Sequence, residues 1–254
     1  MKIKGFGVNT RRTDGNFSRL ENQLTYLKEA GFEYLEVSAD VVDTIGGGKI
    51  ILKRMDKLIK LLDRYRFKHT AHMHNGINLR DSQDREFQLA SFKSSIEFAG
   101  LIGAELLVCH FEKESDDPAK EFLFREAILK GLEYAKKWKL KIGIENIEID
   151  KLSKVVDFVK GINDSDIILV LDVGHAFLSE PYFGENFLKS IKEAASMVSH
   201  IHLSDNFGRF EKMRLENFDL YRVSSYTNRL NFCLLYTSDA ADELDGVDLG
   251  GRRI

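Results

Sequence analysis

Cysteine is scarce in this sequence. Cys109 and Cys233 are the two in 254 residues, too few for a disulfide framework. A reducing compartment is therefore expected. Long apolar runs are also missing: nothing approaches the roughly 18 residues of a membrane span. The opening MKIKGFGVNT has no apolar stretch of the secretory kind, so a cytoplasmic location is expected. Neither sign of charge dominates. A net charge of −3 gives no electrostatic footprint for nucleic acid. A phosphate-cradling glycine loop is missing as well. The cluster Gly46-Gly47-Gly48 lacks the strand-then-GxGxxG context of a dinucleotide fingerprint and is read as a flexible loop. What remains is an ordinary globular composition, 43% hydrophobic and 30% charged, in a chain long enough for one large domain with a sizeable core.

The pattern that is present alternates regularly. Short apolar runs fall at Ile3–Val8, Tyr34–Val37, His69–Met73, Glu105–Cys109, Lys141–Ile144, Ile167–Leu171 and His200–Leu203. Between them lie stripes at helical spacing. These are Leu20/Leu24/Leu27, Met55/Leu58/Leu62, Leu89/Phe92/Ile96/Ala99, Ile128/Leu132/Ala135, Leu152/Val155/Val156/Val159 and Phe187/Ile191/Ala194/Val198. Gly31, Gly103 and Gly161 stand where helix C-caps are expected. Lys/Glu-rich faces such as EYAKKWKLK read as solvated exterior. Strand–helix alternation implies parallel strands with crossover helices. Without a phosphate loop, an α/β (β/α)8 TIM barrel accounts for the pattern better than an open doubly wound sheet, and it places its site at the C-terminal strand ends.

Polar residues collect at those ends. Strand one ends at Asn9, strand two carries Glu36, strand three brings His72 and His74, and strand four ends at His110. Strand five brings Glu145 and Asn146, strand six Asp172 and then His175, and strand seven His202 and Asp205. The run IILVLDVGH poses the sharpest question, because burying an unpaired carboxylate costs several kcal/mol. A lone histidine at a strand end is more often a hydrogen-bonded rim residue than a ligand. On that ground His74, Glu36 and Asn9 stay open between the two roles, and Asp205 and Asn206 read as loop caps. His69 and His200 open their strands and are expected away from the mouth in structural roles, and Cys109 reads as a small core residue. The set Glu145, Asp172 and His202 on successive strands is harder to explain structurally. Mixed carboxylate and imidazole donors suit a divalent metal. Arg209 is a candidate for a substrate phosphate or hydroxyl, or a plain loop residue.

The motifs GIENIE, LDVGHA and HIHLSDN, in this order and spacing, resemble strands five to seven of the xylose-isomerase-like barrel superfamily over residues 1 to about 215. That group holds sugar and sugar-phosphate isomerases and epimerases, and also the endonuclease IV family. The sugar branch implies one divalent metal (manganese, magnesium, cobalt or zinc) on Glu145, Asp172, His202 and a glutamate from strand eight. Glu145 would double as the proton-transfer base, and His72, His110 and His175 would contact a small sugar or sugar phosphate. The metal would polarise a carbonyl and stabilise a developing enediolate while carboxylates move the proton. The endonuclease IV branch implies three zinc ions, and His72, His110, Glu145, Asp172, His175 and His202 fall where its ligands fall. The slight net acidity and the acidic CHFEKESDD loop oppose a phosphate-backbone partner. The expectation is therefore the sugar enzyme, without nucleic acid or membrane as partner and with room for a homo-oligomer. A non-catalytic barrel is the third alternative.

Strand eight is not recognisable. After SDNFGRFEKMRLENFDLYR the resemblance implies a Gly-Asp-x-His segment and a strand ending in glutamate. The chain instead reads NRLNFCLLYTSDAADELDGVDLGGRRI, which resembles translated sequencing-adapter ends. The expectation is a barrel domain over 1–230, with strand eight missing or replaced, and an unstructured or artefactual tail over 231–254. Strands one and seven would then keep unpaired edges, and the chain as written would be impaired.

Overall fold

The computed structural model describes residues 3–206, 208, 210–215, 218–223 and 233–234. Seven parallel strands form one curled sheet in chain order: β1 Phe6–Asn9, β2 Tyr34–Ser38, β3 Lys68–His72, β4 Leu106–His110, β5 Lys141–Glu145, β6 Ile167–Asp172 and β7 Val198–His202. The crossovers are helical: α1 Phe17–Glu29, α2 Leu52–Tyr65, α3 Arg85–Leu101, α4 Pro118–Lys136, α5 Leu152–Ile162, α6 Val173–Tyr182 and α7 Phe187–Ala194. The arrangement is that of a TIM barrel, and among the described residues no eighth parallel strand follows β7. At that place Cys233–Leu234 pair antiparallel with Phe6 and Gly7 of β1. The outer edge of β1 is thus covered over two residues, contrary to the expectation that it stays unpaired. The rest of the 231–254 tail lies outside the described residues. Between β7 and that segment, Phe210–Leu215 pair antiparallel with Phe218–Val223; the stretch after Val223, where the resemblance implies the Asp-x-His segment, lies outside the described residues apart from Cys233–Leu234.

Alternation along each strand sorts side chains into two compartments. Leu35, Val37, Ala71, Leu107, Cys109, Ile142, Ile144, Leu169 and Leu171 face the helices and belong to the main core. The intervening residues face the barrel interior. Leu106, Val108, Ile168 and Val170 form a small apolar plug there, and Gly143 belongs to the same inner layer because a Cβ on it would lie 2.5 Å from Val170. Above the plug the same series continues into polar residues, and this parity aims the strand ends inward.

Several local signals resolve differently from expectation. Gly31 and Gly103 do follow α1 and α3 with positive φ, as αL caps should. Gly161 lies inside α5 instead, and Asn163 takes the left-handed position at φ 55°. Asparagine tolerates that region, so the helix runs past the glycine. Gly47 and Gly48, both at positive φ, form a tight two-residue hairpin turn between Ile45–Gly46 and Lys49–Ile50 rather than a flexible loop. One helix was expected between strands six and seven, but two are present, and Val198 opens β7 rather than closing a helix.

Close packing of α3 on α4 makes one glycine a sensitive test. A Cβ on Gly131 would lie 2.3 Å from the buried Phe92 ring and 3.2 Å from Ile96. Gly131→Ala gains about 1 kcal/mol of helix propensity but overpacks a full core at a cost of about 1–3 kcal/mol. The variant is expected to lower the urea unfolding midpoint, and a raised midpoint would contradict this packing.

Candidate metal centre at the barrel mouth

Glu145 ends β5 with no exposed surface and sits among three imidazoles. His202 Nδ1 lies 2.5 Å from its Oε1, while His72 Nε2 and His110 Nε2 each lie 3.6 Å from its Oε2. Strand pairing brings these residues together: His110 is in register with Glu145, and Asp172 with His202. The rings of His72 and His110 meet edge to face at 4.8 Å. Two three-donor groups therefore share Glu145, namely His72/His110/Glu145 and Glu145/Asp172/His202. In each, one ligand atom per residue lies within 4.8 Å of the others. Two carboxylates and an imidazole, buried together, are a donor set that fits a divalent ion.

Asp172 answers the question posed by IILVLDVGH. It is the N-cap of α6, with Oδ1 accepting the His175 backbone N–H at 2.7 Å and the Ser204 hydroxyl at 3.0 Å. Its own backbone is clasped by Asn146, whose side chain accepts from Asp172 N at 3.0 Å and donates to Asp172 O at 2.9 Å. The β5 and β6 ends are thereby fixed to each other. The cap leaves Asp172 close to Glu145 and His202. His175, half a turn into α6, has Nδ1 3.2 Å from Glu148 and Nε2 3.9 Å from Asp172.

Burial and mutual charge tune these groups. Burial raises the Asp172 carboxyl above its ordinary range, and neighbouring Glu145 adds to the rise against His175 and His202. Burial alone would depress His202, but Glu145 and Glu36 on either side hold it well above its usual value. Burial, with the charge of His202, pushes His200 well below. Cys109, pushed to about 12 by burial, is an inert core thiol.

The structure brings Glu145, Asp172, His202, His72, His110 and His175 into one mouth. Arg209 lies outside the described residues. His69 is structural as expected, with Nδ1 3.0 Å from Ile102 O. His74 pairs with Asp40 at 2.9 Å on the rim. His200 is fully buried inside the barrel facing Glu36 at 3.8 Å, because it lies two residues before His202 on β7 and so shares its inward face. Glu148 and Asp150 went unnoticed. Glu148 stands in GIENIE without a spacing signal, and Asp150 is recognisable only from its burial. Asp150 accepts from Ile147 N at 3.0 Å, while its Oδ1 is buried without a partner. Beside the centre, a cleft of about 850 Å³ is lined by Asn78, Arg80, Glu112, Lys113, Asp116 and Ile147, under the loops following β3, β4 and β5.

Fold and mouth together define a (β/α) barrel whose clustered carboxylates and imidazoles could hold a metal ion. The chain belongs to the xylose isomerase-like TIM barrel family, whose model matches residues 24–225. Three solved structures share the fold. A xylose isomerase domain protein from Planctomyces limnophilus is 15% identical, with TM-score 0.60, over 78% of this chain and 73% of that one. D-psicose 3-epimerase from Clostridium cellulolyticum H10 is 15% identical, with TM-score 0.59, over 77% and 71%. The 3-keto-D-glucoside 4-epimerase from E. coli is 14% identical, with TM-score 0.60, over 80% of each chain. No curated protein matches the chain.

Asp150 gives the site a pH signature. Burial moves its carboxyl from 3.8 to about 7, against the Ile147 N–H and the charges of His110, Arg80 and His175. Between those values the folded state binds more protons than the unfolded one, so stability from this group falls as pH rises through the window. Asp150→Asn is expected to gain about 4 kcal/mol on the wild type between about pH 4 and pH 8, measured by urea denaturation. A difference that stays constant across that range would exclude a buried, proton-carrying Asp150.

Proposed function

We propose that this chain is the barrel of a divalent-metal-dependent sugar or sugar-phosphate isomerase or epimerase working in the cytoplasm. The observation that carries the reading is the convergence of Glu145, Asp172 and His202 donor atoms at the mouth of a barrel of this family. Those three residues would hold the ion, which when bound supplies Lewis-acid polarisation of a substrate carbonyl. Glu145 is the proton-transfer base: its buried carboxylate ends β5 at the centre of the group, in contact with His72, His110 and His202. His72 and His110 bind substrate oxygens. His175, oriented by Glu148, donates to another. Burial of Glu145, Asp172 and His202 keeps water from the carbon that loses its proton. Arg209 binds a hydroxyl or phosphate. The epimerase names carried by two structures of the same fold agree with this reading.

The second reading, an endonuclease IV-like nuclease, draws on the His72/His110/Glu145 group that shares Glu145 with the first. Against it stand the net charge of −3 and the acids Glu112, Glu114, Asp116 and Asp117 after β4. The readings differ in stoichiometry: about one ion per chain for the sugar enzyme, about three zinc ions and cleavage of abasic DNA for the nuclease.

Among the described residues no eighth-strand glutamate joins the three donors, so the chain as written is expected to bind metal yet turn over slowly or not at all. Efficient turnover of sugars by the purified 254-residue chain would overturn that impairment.

Asp172→Asn tests the centre. Asparagine caps a helix as well as aspartate does, so α6 is retained while a charged donor is removed. Manganese or zinc affinity, titrated against a chromophoric chelator, is expected to fall at least about tenfold. Wild-type affinity in the variant would remove Asp172 from the metal shell.

A further inference from the structure

We infer that Glu36 on β2 is a positioning residue for His202: it holds the proton on Nε2 of that ring and so reserves Nδ1 for the ion. The inference rests on the metal reading above. His202 is bracketed by two buried carboxylates in two layers of the barrel. Its Nδ1 faces Glu145 at the mouth, at 2.5 Å. Its Nε2 faces Glu36 in the interior, 3.4 Å from Oε1. A neutral imidazole carries one proton, and a metal ligand must offer the nitrogen that lacks it. With an ion on Glu145, Glu36 would be the carboxylate left to take the proton of His202, and it faces Nε2.

The other contacts of Glu36 fix it for this task. It has no exposed surface. Its Oε2 accepts the Thr70 hydroxyl at 3.0 Å, and Thr70 is its partner in the β2–β3 register. The carboxylate is therefore anchored on one oxygen while the other points at His202. His200 packs its ring edge-on to His202, centroids 5.0 Å apart at 80°, which fixes the ring plane. Carboxylates that orient ligand histidines in this way raise ligand basicity, and their loss costs about ten- to a hundred-fold in metal affinity.

One rival arrangement uses the same atoms. Glu36, His200 and His202 also offer ligand atoms within 4.8 Å of one another, and an ion there would take Nε2 of His202. Positioning and inner coordination therefore make opposite claims about one ring.

The experiment is a long-range proton–nitrogen spectrum of the full chain, labelled with nitrogen-15 at histidine and titrated with zinc, alongside a chelator-competition titration of wild type and Glu36→Gln. The expected result is His202 with Nε2 protonated and Nδ1 at a metal-coordinated shift, and zinc affinity about ten- to a hundred-fold weaker in the variant. Coordination through Nε2, or a variant within about twofold of the wild type, overturns the role of Glu36 while leaving the metal centre standing. A wild-type chain that takes up no zinc overturns the metal reading and this inference together. The tautomer is read on the wild type, so a variant that folds poorly does not remove the test.

Discussion

A carboxylate with no water around it sets the terms for this barrel. Glu145 ends β5 in the interior, where an isolated charge costs several kcal/mol. Three imidazoles from β3, β4 and β7 surround it. Such a cluster compensates the acid only while every member stays in place, because removing one leaves a buried charge unopposed. The strand ends are therefore held by secondary contacts that look excessive for stability alone. Asn146 clasps the β6 backbone, Ser204 and the α6 amide hold Asp172, and Glu148 holds His175. Rigid support of this kind is what a centre with fixed ligand geometry requires.

The polar interior also bears on the curl of the sheet. β2 and β7 are not neighbours in the strand order. Even so, Glu36 of β2 reaches His200 and His202 of β7 across the interior. In a closed barrel, backbone pairing around the ring brings such strands face to face. Here part of that work falls to side-chain contacts between fully buried groups, while the antiparallel pairing of Cys233–Leu234 covers β1 over two residues. Site and fold are thus coupled. Contacts that tune His202 also tie the second strand to the last parallel one.

Much of this was legible in the sequence. Parallel strands buried on both faces read as apolar runs, so all seven were visible, and polar residues at their ends named Glu145, Asp172, His202, His72, His110 and His175. Parity was the part the runs could not convey. A continuous apolar run does not say which alternate residue faces inward. HIHL therefore carries no sign that His200 shares the inward face of β7 with His202 and meets Glu36. The helix α6 was hidden for a different reason: its first residues VGHA carry no stripe, and its start is set by the Asp172 cap, which reads as a strand end until the fold is seen. Asp150 left no trace, because a loop acid looks solvated until its burial is known.

Asp172 shows why the hidden helix matters to chemistry. A strand-terminal aspartate free to choose its rotamer would be a poor ligand, because ordering it costs entropy. As the N-cap of α6 it is already ordered, one oxygen receiving the His175 amide. The same cap brings the His175 ring to within 3.9 Å of the other carboxylate oxygen. A single local motif, an acid with a histidine three positions on at a strand-to-helix junction, therefore fixes two site groups at once. The sugar and nuclease readings both need that junction, so its geometry does not choose between them. The choice falls to charge around the mouth, where acids after β4 oppose a polyanion while the small neutral hydroxyls of a sugar meet no such barrier.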